Sequence, residues 1–276
     1  MAGCSGSDFS KSFPSPFGIY VSEDENIFVS DFQYGVVILG PKLNELARLK
    51  GLKAPHAVAE TRSGTYLVAD YRGQGVYEYS KSGESIGLFF GEKGMGPAHV
   101  YVSSDNETWI SDFDRNKVIA ILADGSVTQI ISPDGFVKPH AVVKDVNGNV
   151  YVVETWNHRV QKFSPMLKSM GSIGGKDGGL RTSGWESGYR PGAGKDAGMF
   201  NAPTSIEIVD GKYMLIGDVF NNRIQRFDLV TGQFIDMLDF ELNQPYGFDA
   251  LNARLYIADT KNKRIVILPS PVWAVD

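Results

Sequence analysis

A proline and an acidic residue recur at one fixed distance along this chain, and that register constrains the fold more than any other feature. Pro16 and Asp31, Pro55 and Asp70, Pro97 and Asp112, Pro139 and Glu154, and Pro203 and Asp218 are each 15 residues apart, and Pro245 and Asp259 are 14 apart. Successive acidic residues are separated by 39, 42, 42, 64 and 41 positions. One period of about 40 residues therefore runs through the sequence, with a single insertion of roughly 22 residues ahead of the fifth unit, and repeats of this length are a signature of propeller blades.

Inside each unit the signals are those of strands joined by tight turns. An apolar run follows the proline, a turn of Asp, Asn, Gly or Ser comes next, a β-rich run ends on the acidic residue, and a further apolar run follows a loop. Val142–Lys144, then Asn147-Gly148-Asn149, then Val150–Val153 reads as a hairpin, because Asn-Gly supplies positive φ and β-branched residues suit a pleated surface. No helical period of comparable strength appears. A lone four-stranded blade exposes both faces and its edges, so blades must pack radially into a ring.

The fold class expected is therefore all-β, a single six-bladed β-propeller. Little sequence follows Leu268 in the last unit, and Phe9–Phe13 aligns with the run that precedes the proline elsewhere, so the N-terminal strand is expected to close the ring. The expected organisation is a tail at 1–8 and a propeller at 9–276, with the inter-blade insertion at about 176–201.

With 42% hydrophobic and 21% charged residues, the chain can build a packed core. Its formal charge of −5 excludes the basic footprint of nucleic-acid binding, and no apolar run is long enough for a transmembrane segment. Cys4 is the one cysteine, so no internal disulfide can form. Ala2-Gly3-Cys4 resembles the remnant of a lipobox, which leaves an exported lipoprotein and a cytoplasmic protein equally open.

The segment from Asp218 through Asn221, Asn222 and Arg223 to Phe227 resembles the NHL repeat, in which an acidic residue, an Asn and an Arg precede an apolar strand. Glu154 through Phe163 is similar, and the likeness extends over roughly 9–268, with Asn and Arg missing from the first two units. The resemblance implies a propeller architecture and says little about activity.

In such a ring the residues just after each repeat proline surround one mouth of the central channel. They are Phe17, His56, Ala98-His99, His140, Thr204 and Tyr246. Three of the four histidines of the chain fall there. Three imidazoles with an open position form a known design for catalytic zinc, with nitrogen to metal distances near ~2.0–2.1 Å, and iron or manganese is also compatible. A divalent metal held by His56, His99 and His140 is therefore expected, with lyase or hydrolase chemistry at a metal-bound water or a polarised carbonyl. His99 stands two residues after its proline, against one for His56 and His140, so Tyr246 in the sixth unit is the alternative third partner. Tyr246, Arg72 and Arg190 are the candidate catalytic side chains, the arginines orienting a carboxylate.

Pro55-His56 and Pro139-His140 resemble the Pro-His context of the peptidyl-hydroxyglycine amidating lyases, propellers of NHL-like repeats; that resemblance implies a channel zinc held by histidines. Here Tyr246 stands where their even-blade set has its third histidine.

The Gly-rich insertion carries Arg181, Trp185, Glu186, Tyr189 and Arg190 and is expected to emerge on the histidine face as a lid. Loops after the acidic residues bring Tyr71, Arg72, Asp114, Arg115, Trp156 and His158 to the same face; His158 is expected to be structural, as are the repeat carboxylates. Walker, nucleophile-elbow, Cys-x-x-Cys and His-Glu-x-x-His motifs are absent. The expected partner is a small-molecule or peptide substrate at the channel mouth. The rival reading is a non-catalytic propeller that binds a ligand or a protein partner. A gluconolactonase-like or strictosidine-synthase-like site is a third, though those sites are richer in carboxylates than this mouth.

Overall fold

The computed structural model describes residues 9–175, 184–185, 192–238 and 241–269. Strand β1 (Phe9–Ser12) precedes five runs of four strands and one run of three. Blade 1 holds β2 (Pro16–Val21), β3 (Ile27–Asp31), β4 (Gly35–Leu39) and β5 (Glu45–Leu49), and blade 2 holds β6 (Pro55–Glu60), β7 (Tyr66–Asp70), β8 (Gly75–Tyr79) and β9 (Ser85–Gly91). Blade 3 holds β10 (Pro97–Val102), β11 (Thr108–Asp112), β12 (Lys117–Ile121) and β13 (Val127–Gln129), and blade 4 holds β14 (Pro139–Lys144), β15 (Val150–Glu154), β16 (Arg159–Phe163) and β17 (Ser169–Gly174). Blade 5 holds β18 (Pro203–Val209), β19 (Tyr213–Asp218), β20 (Arg223–Asp228) and β21 (Phe234–Leu238). Blade 6 holds β22 (Pro245–Leu251), β23 (Arg254–Asp259) and β24 (Arg264–Pro269), and β1 completes it antiparallel to β24, with Phe9 opposite Ile267. The chain is thus a six-bladed β-propeller closed by its N-terminal strand, as the repeat register predicts.

Apolar packing is divided among six seams, one between each pair of neighbouring blades. Between blades 4 and 5, for example, Val143, Tyr151 and Val153 meet Ile206, Met214 and Ile216. Between blades 6 and 1, Tyr256 and Ile265 meet Val21, Ile27 and Val37. Strands β3, β7, β11 and β15 are buried along their whole length, because both of their faces are covered by neighbouring blades. Near-continuous apolar runs in these strands follow from that double burial.

The hairpin expected at the Asn147-Gly148 turn forms, but the turn is wider than two residues. Lys144 pairs with Val150, and only Gly148 takes a positive φ, at 83°. Asp145 holds the loop by accepting the Asn147 and Asn149 backbone N–H groups at 2.9 and 2.8 Å.

Each repeat carboxylate also ties down a loop. Asp31 accepts the Ser15 N–H at 2.8 Å, Asp70 the Lys53 and Ala54 N–H groups, Asp218 the Asn201 N–H at 2.6 Å and Asp259 the Asn243 N–H at 2.7 Å. The constant 14 to 15 residue spacing thus measures a hairpin whose far end bonds back to the segment leading into its own inner strand. A buried carboxylate that accepts several N–H groups is satisfied without chemistry.

Candidate functional site

Every inner strand begins with the same irregularity. Pro55 faces Asp70 and Ala57 faces Ala69, so His56 between them is bulged out of the ladder, and the same shift occurs in all six blades. A bulge redirects one side chain away from the alternation of the strand. The redirected residues are Phe17, His56, Ala98, His140, Thr204 and Tyr246, and all except Ala98 line a cavity of about 530 Å³ at the channel mouth.

His99 does not belong to this layer. It pairs regularly with Ser111, one step further along β10, and lines the deeper channel together with Gly18, Ala57, Ser205 and Gly247. Those small residues at matching registers leave the space its imidazole takes. Tyr246 is the residue brought to the mouth beside His56 and His140.

The floor of the cavity is a cluster of rings. Phe17 lies 4.2 Å from His56, 4.5 Å from Tyr246 and 5.8 Å from His140 between ring centroids. His56 stacks on Tyr71 at 4.9 Å and 10°, and it lies 6.1 Å from His140. Phe113 meets His140 edge-on at 5.9 Å. Phe32, Tyr71, Phe113, Trp156 and Phe220 come from the first or second residue after the repeat acid, and they wall the cavity above the floor. Sequence reasoning singled out Tyr71 and Trp156 but missed Phe32, Phe113, Phe220 and Lys53. The available signal was an aromatic residue at one of those two positions in five of the six units.

Burial governs the electrostatics. Enclosure in the channel lowers the His140 pKa to about 4 and the His99 pKa to about 3, each shift partly offset by a backbone hydrogen bond. Enclosure, followed by the nearby His140, pushes His56 well below the ordinary imidazole value. All three are neutral at pH 7, since desolvation disfavours the cation. Burial also raises the Tyr246 phenol, which keeps its proton. The Nδ1 atoms of His56, His99 and His140 are buried without a hydrogen-bonding partner.

Neutral imidazoles with a free nitrogen are metal donors. Only two of them share the mouth, however, and among the described residues no three His, Cys, Asp or Glu side chains form a group able to hold an ion. The donor set falls short of the three imidazoles expected from the sequence.

Below the histidines the channel becomes acidic, with Glu60, Glu207 and Asp249 in its lining. Burial raises the Asp249 carboxyl to about 6, and burial next to Asp249 raises Glu207 well above its usual range. The sequence offered no signal for these groups beyond a carboxylate within an inner-strand run.

Arg72 lies on the cavity rim. Arg190, Arg181, Glu186, Tyr189 and the Ala2-Gly3-Cys4 segment fall outside the described residues. Of the insertion, Trp185 packs against Tyr151 at 5.6 Å, beneath the Lys162 ammonium, and its backbone N–H donates to the Thr231 carbonyl. Thr231 belongs to the turn between β20 and β21, at the end of the blade opposite the mouth. No described residue of 176–201 lines the cavity. His158 is structural as expected, its Nδ1 accepting the Ala202 N–H at 3.0 Å.

The inner layer tolerates no added bulk. A Cβ on Gly18 would stand 1.9 Å from the His56 carbonyl oxygen. Gly18→Ala should destabilise the fold by about 1–3 kcal/mol or more, because the obstacle is backbone and cannot swing aside. Urea unfolding measures this, and an unchanged midpoint would show that blades 1 and 2 part freely.

Architecture and mouth together define the class: a six-bladed β-propeller with an apolar, imidazole-bearing cavity at one end of its channel. The NHL repeat profile matches residues 136–163, which contain His140 and Glu154. The chain is 25% identical over 136 residues to virginiamycin B lyase of Nocardia farcinica, a match covering 49% of this chain and 48% of that one. The matched part thus spans about half the length of that curated relative. A catalytically inactive variant of the Staphylococcus aureus virginiamycin B lyase, crystallised with quinupristin, superposes with a TM-score of 0.66 at 12% identity over 98% of this chain and 91% of that one. An auxiliary nutrient binding protein from Bacteroides ovatus superposes at 0.72 with 11% identity, over 94% of this chain and 70% of that one. At these identities the superpositions show the propeller fold.

Proposed function

We propose that the chain is a lyase acting on a small molecule or peptide of largely apolar character, taken into the cavity at the channel mouth. The observation that carries this reading is the pair of neutral imidazoles of His56 and His140, each with a partnerless Nδ1, at an otherwise aromatic floor. A cavity of this size, mostly apolar with a few convergent polar groups, suits a small-molecule ligand.

In the step proposed, an imidazole takes a proton from a carbon next to a carbonyl. The C–H electron pair becomes a C=C bond, and the leaving group departs with its bonding pair and takes a proton from the Tyr246 phenol. The imidazoles stay uncharged between turnovers, since enclosure keeps them deprotonated in the neutral range. The partial match to a virginiamycin B lyase supports elimination over hydrolysis.

A divalent ion, zinc, iron or manganese, held by His56 and His140 and completed by substrate or water is the second reading, favoured by their partnerless Nδ1 atoms. Metal-dependent hydrolysis belongs with it.

The test is turnover of quinupristin followed by mass spectrometry, with and without a chelator. A ring opened by elimination keeps the substrate mass, which is the expected result. A product heavier by one water overturns the lyase reading in favour of hydrolysis. Activity that disappears with the chelator and returns with zinc, iron or manganese assigns the metal. Saturable binding with no product, for quinupristin and for a panel of apolar peptides, favours the non-catalytic propeller.

A further inference from the structure

Several cations on the mouth face are paired. Arg115 binds Asp112 and Glu92, Lys138 binds Asp114, and Arg159, Arg223 and Arg264 each bind the acidic residue of their own blade. In blades 1 and 2 no such arginine pairs with the repeat acid among the described residues. Asp70 uses its acceptors on the backbone N–H groups of Lys53 and Ala54 at 2.8 and 2.6 Å, and no arginine reaches it. That turn leaves the Lys53 side chain on the cavity rim beside Arg72, both exposed and neither with an ion-pair or hydrogen-bond partner among the described residues.

Across the mouth stand two further aromatic side chains. Trp156 of blade 4 is 65% exposed and Phe220 of blade 5 is 53% exposed, although both are large apolar side chains facing a cavity. Blades 2 and 5 stand opposite one another in a ring of six, so two cations on one rim face two exposed aromatic rings on the other, above the ring-lined floor. Unpaired cations converging on an apolar cavity match an anion, and a guanidinium fits a carboxylate in bidentate fashion. Aromatic walls and floor match a flat ring.

We propose that the mouth recognises an aromatic carboxylate, its anion against Lys53 and Arg72 and its ring between Trp156, Phe220 and the Phe17 floor. This deepens the small-molecule reading above and rests on it. Lys53 and Arg72 are specificity residues in this assignment, outside the proton-transfer chemistry of His56, His140 and Tyr246.

Isothermal titration with naphthoate and with its uncharged analogue naphthamide tests the proposal. The expected result is that naphthoate binds the wild type at least about tenfold more tightly than naphthamide, equivalent to about 1.4 kcal/mol. In Lys53→Gln/Arg72→Gln that preference should vanish while naphthamide affinity is unchanged; both side chains are exposed and unbonded, so the fold is unaffected. Equal binding of acid and amide to the wild type, or a preference that survives the double variant, overturns the proposal and leaves the cavity reading standing. Trp156→Ala/Phe220→Ala probes the cavity itself: it should weaken both probes, and naphthamide affinity that ignores these changes overturns the cavity reading. Binding of neither probe to the wild type overturns both.

Discussion

Replacing His140 with glutamine should lower kcat roughly 10²–10⁴-fold, the range expected when a positioned proton acceptor is lost. The same change should make the folded state less sensitive to acid. His140 is 8% exposed, and its pKa is lowered from about 6.5 in the unfolded chain to about 4 in the fold, mainly by enclosure. A basic group with a depressed folded pKa leaves the unfolded state binding more protons, so its contribution to stability is complete above pH 6.5 and is lost as pH falls toward 4. From pH 7 to pH 4.5 the wild type should therefore lose roughly 2–3 kcal/mol that His140→Gln does not lose. Asp249 acts in the opposite sense, since its raised folded pKa of about 6 makes acidification favourable between about 6 and 3.8. Comparing wild type with a single variant cancels that contribution. Urea midpoints at the two pH values measure the difference. A wild-type to variant gap that does not change with pH would show that the imidazole is not desolvated, and kcat unchanged in the variant would remove His140 from the chemistry.

Arg223→Met should destabilise the protein by about 3–5 kcal/mol, because it removes the counter-charge of a buried carboxylate and a donor from each of three carbonyls, leaving that of Lys195 with none among the described residues. The Arg223 Nε donates to Asp218 Oδ2 at 2.7 Å, and its terminal nitrogens donate to the carbonyls of Lys195, Asp196 and Met199 at 2.7, 2.9 and 2.9 Å. Asp218 is fully buried, and burial already raises its pKa against the lowering influence of Arg223. One guanidinium thus both neutralises a repeat carboxylate and fastens the segment that returns to blade 5. Arg264 makes the equivalent pair with Asp259 at 2.7 Å but is 32% exposed, so Arg264→Met should cost only about 1 kcal/mol. Equal losses for the two variants in urea unfolding would sink the argument that enclosure sets the difference.

The repeat was legible because strand periodicity is local. A fixed proline-to-acid spacing reports a hairpin closed by one carboxylate, and six such hairpins need only their own sequence to form. The N-terminal strand was legible by a different route: Phe9–Phe13 supplies the strand that the last unit lacks, although its partner β24 lies at the other end of the chain. Glu154 and Asp218 were correctly read as structural, since a residue that recurs in every blade serves what every blade shares.

The site was legible in part. His56, His140 and Tyr246 share one mouth because each follows its proline by one residue and is bulged out of the ladder. His99 is one residue later and falls into the next layer, a difference that sequence position could flag and only strand pairing could settle. Of the insertion expected over the mouth, Trp185 lies at the far end of the blades, held by Tyr151, Lys162 and the Thr231 carbonyl, whereas Lys195, Asp196 and Met199 bond Arg223 at the mouth end of blade 5.

What this sequence determined unaided is the number of blades and their register, because each follows from contacts within about forty residues of chain; the closing strand, which pairs the two ends of the chain, was legible from the slot the last unit leaves open. Which side chains face one another across the mouth was decided only in the tertiary structure. Convergence on the channel axis joins residues from different blades, and a one-residue shift at a bulge moves a side chain from one layer to another. The unpaired Lys53 and Arg72 belong to the same class of fact, since whether a cation is left without a partner depends on everything folded around it.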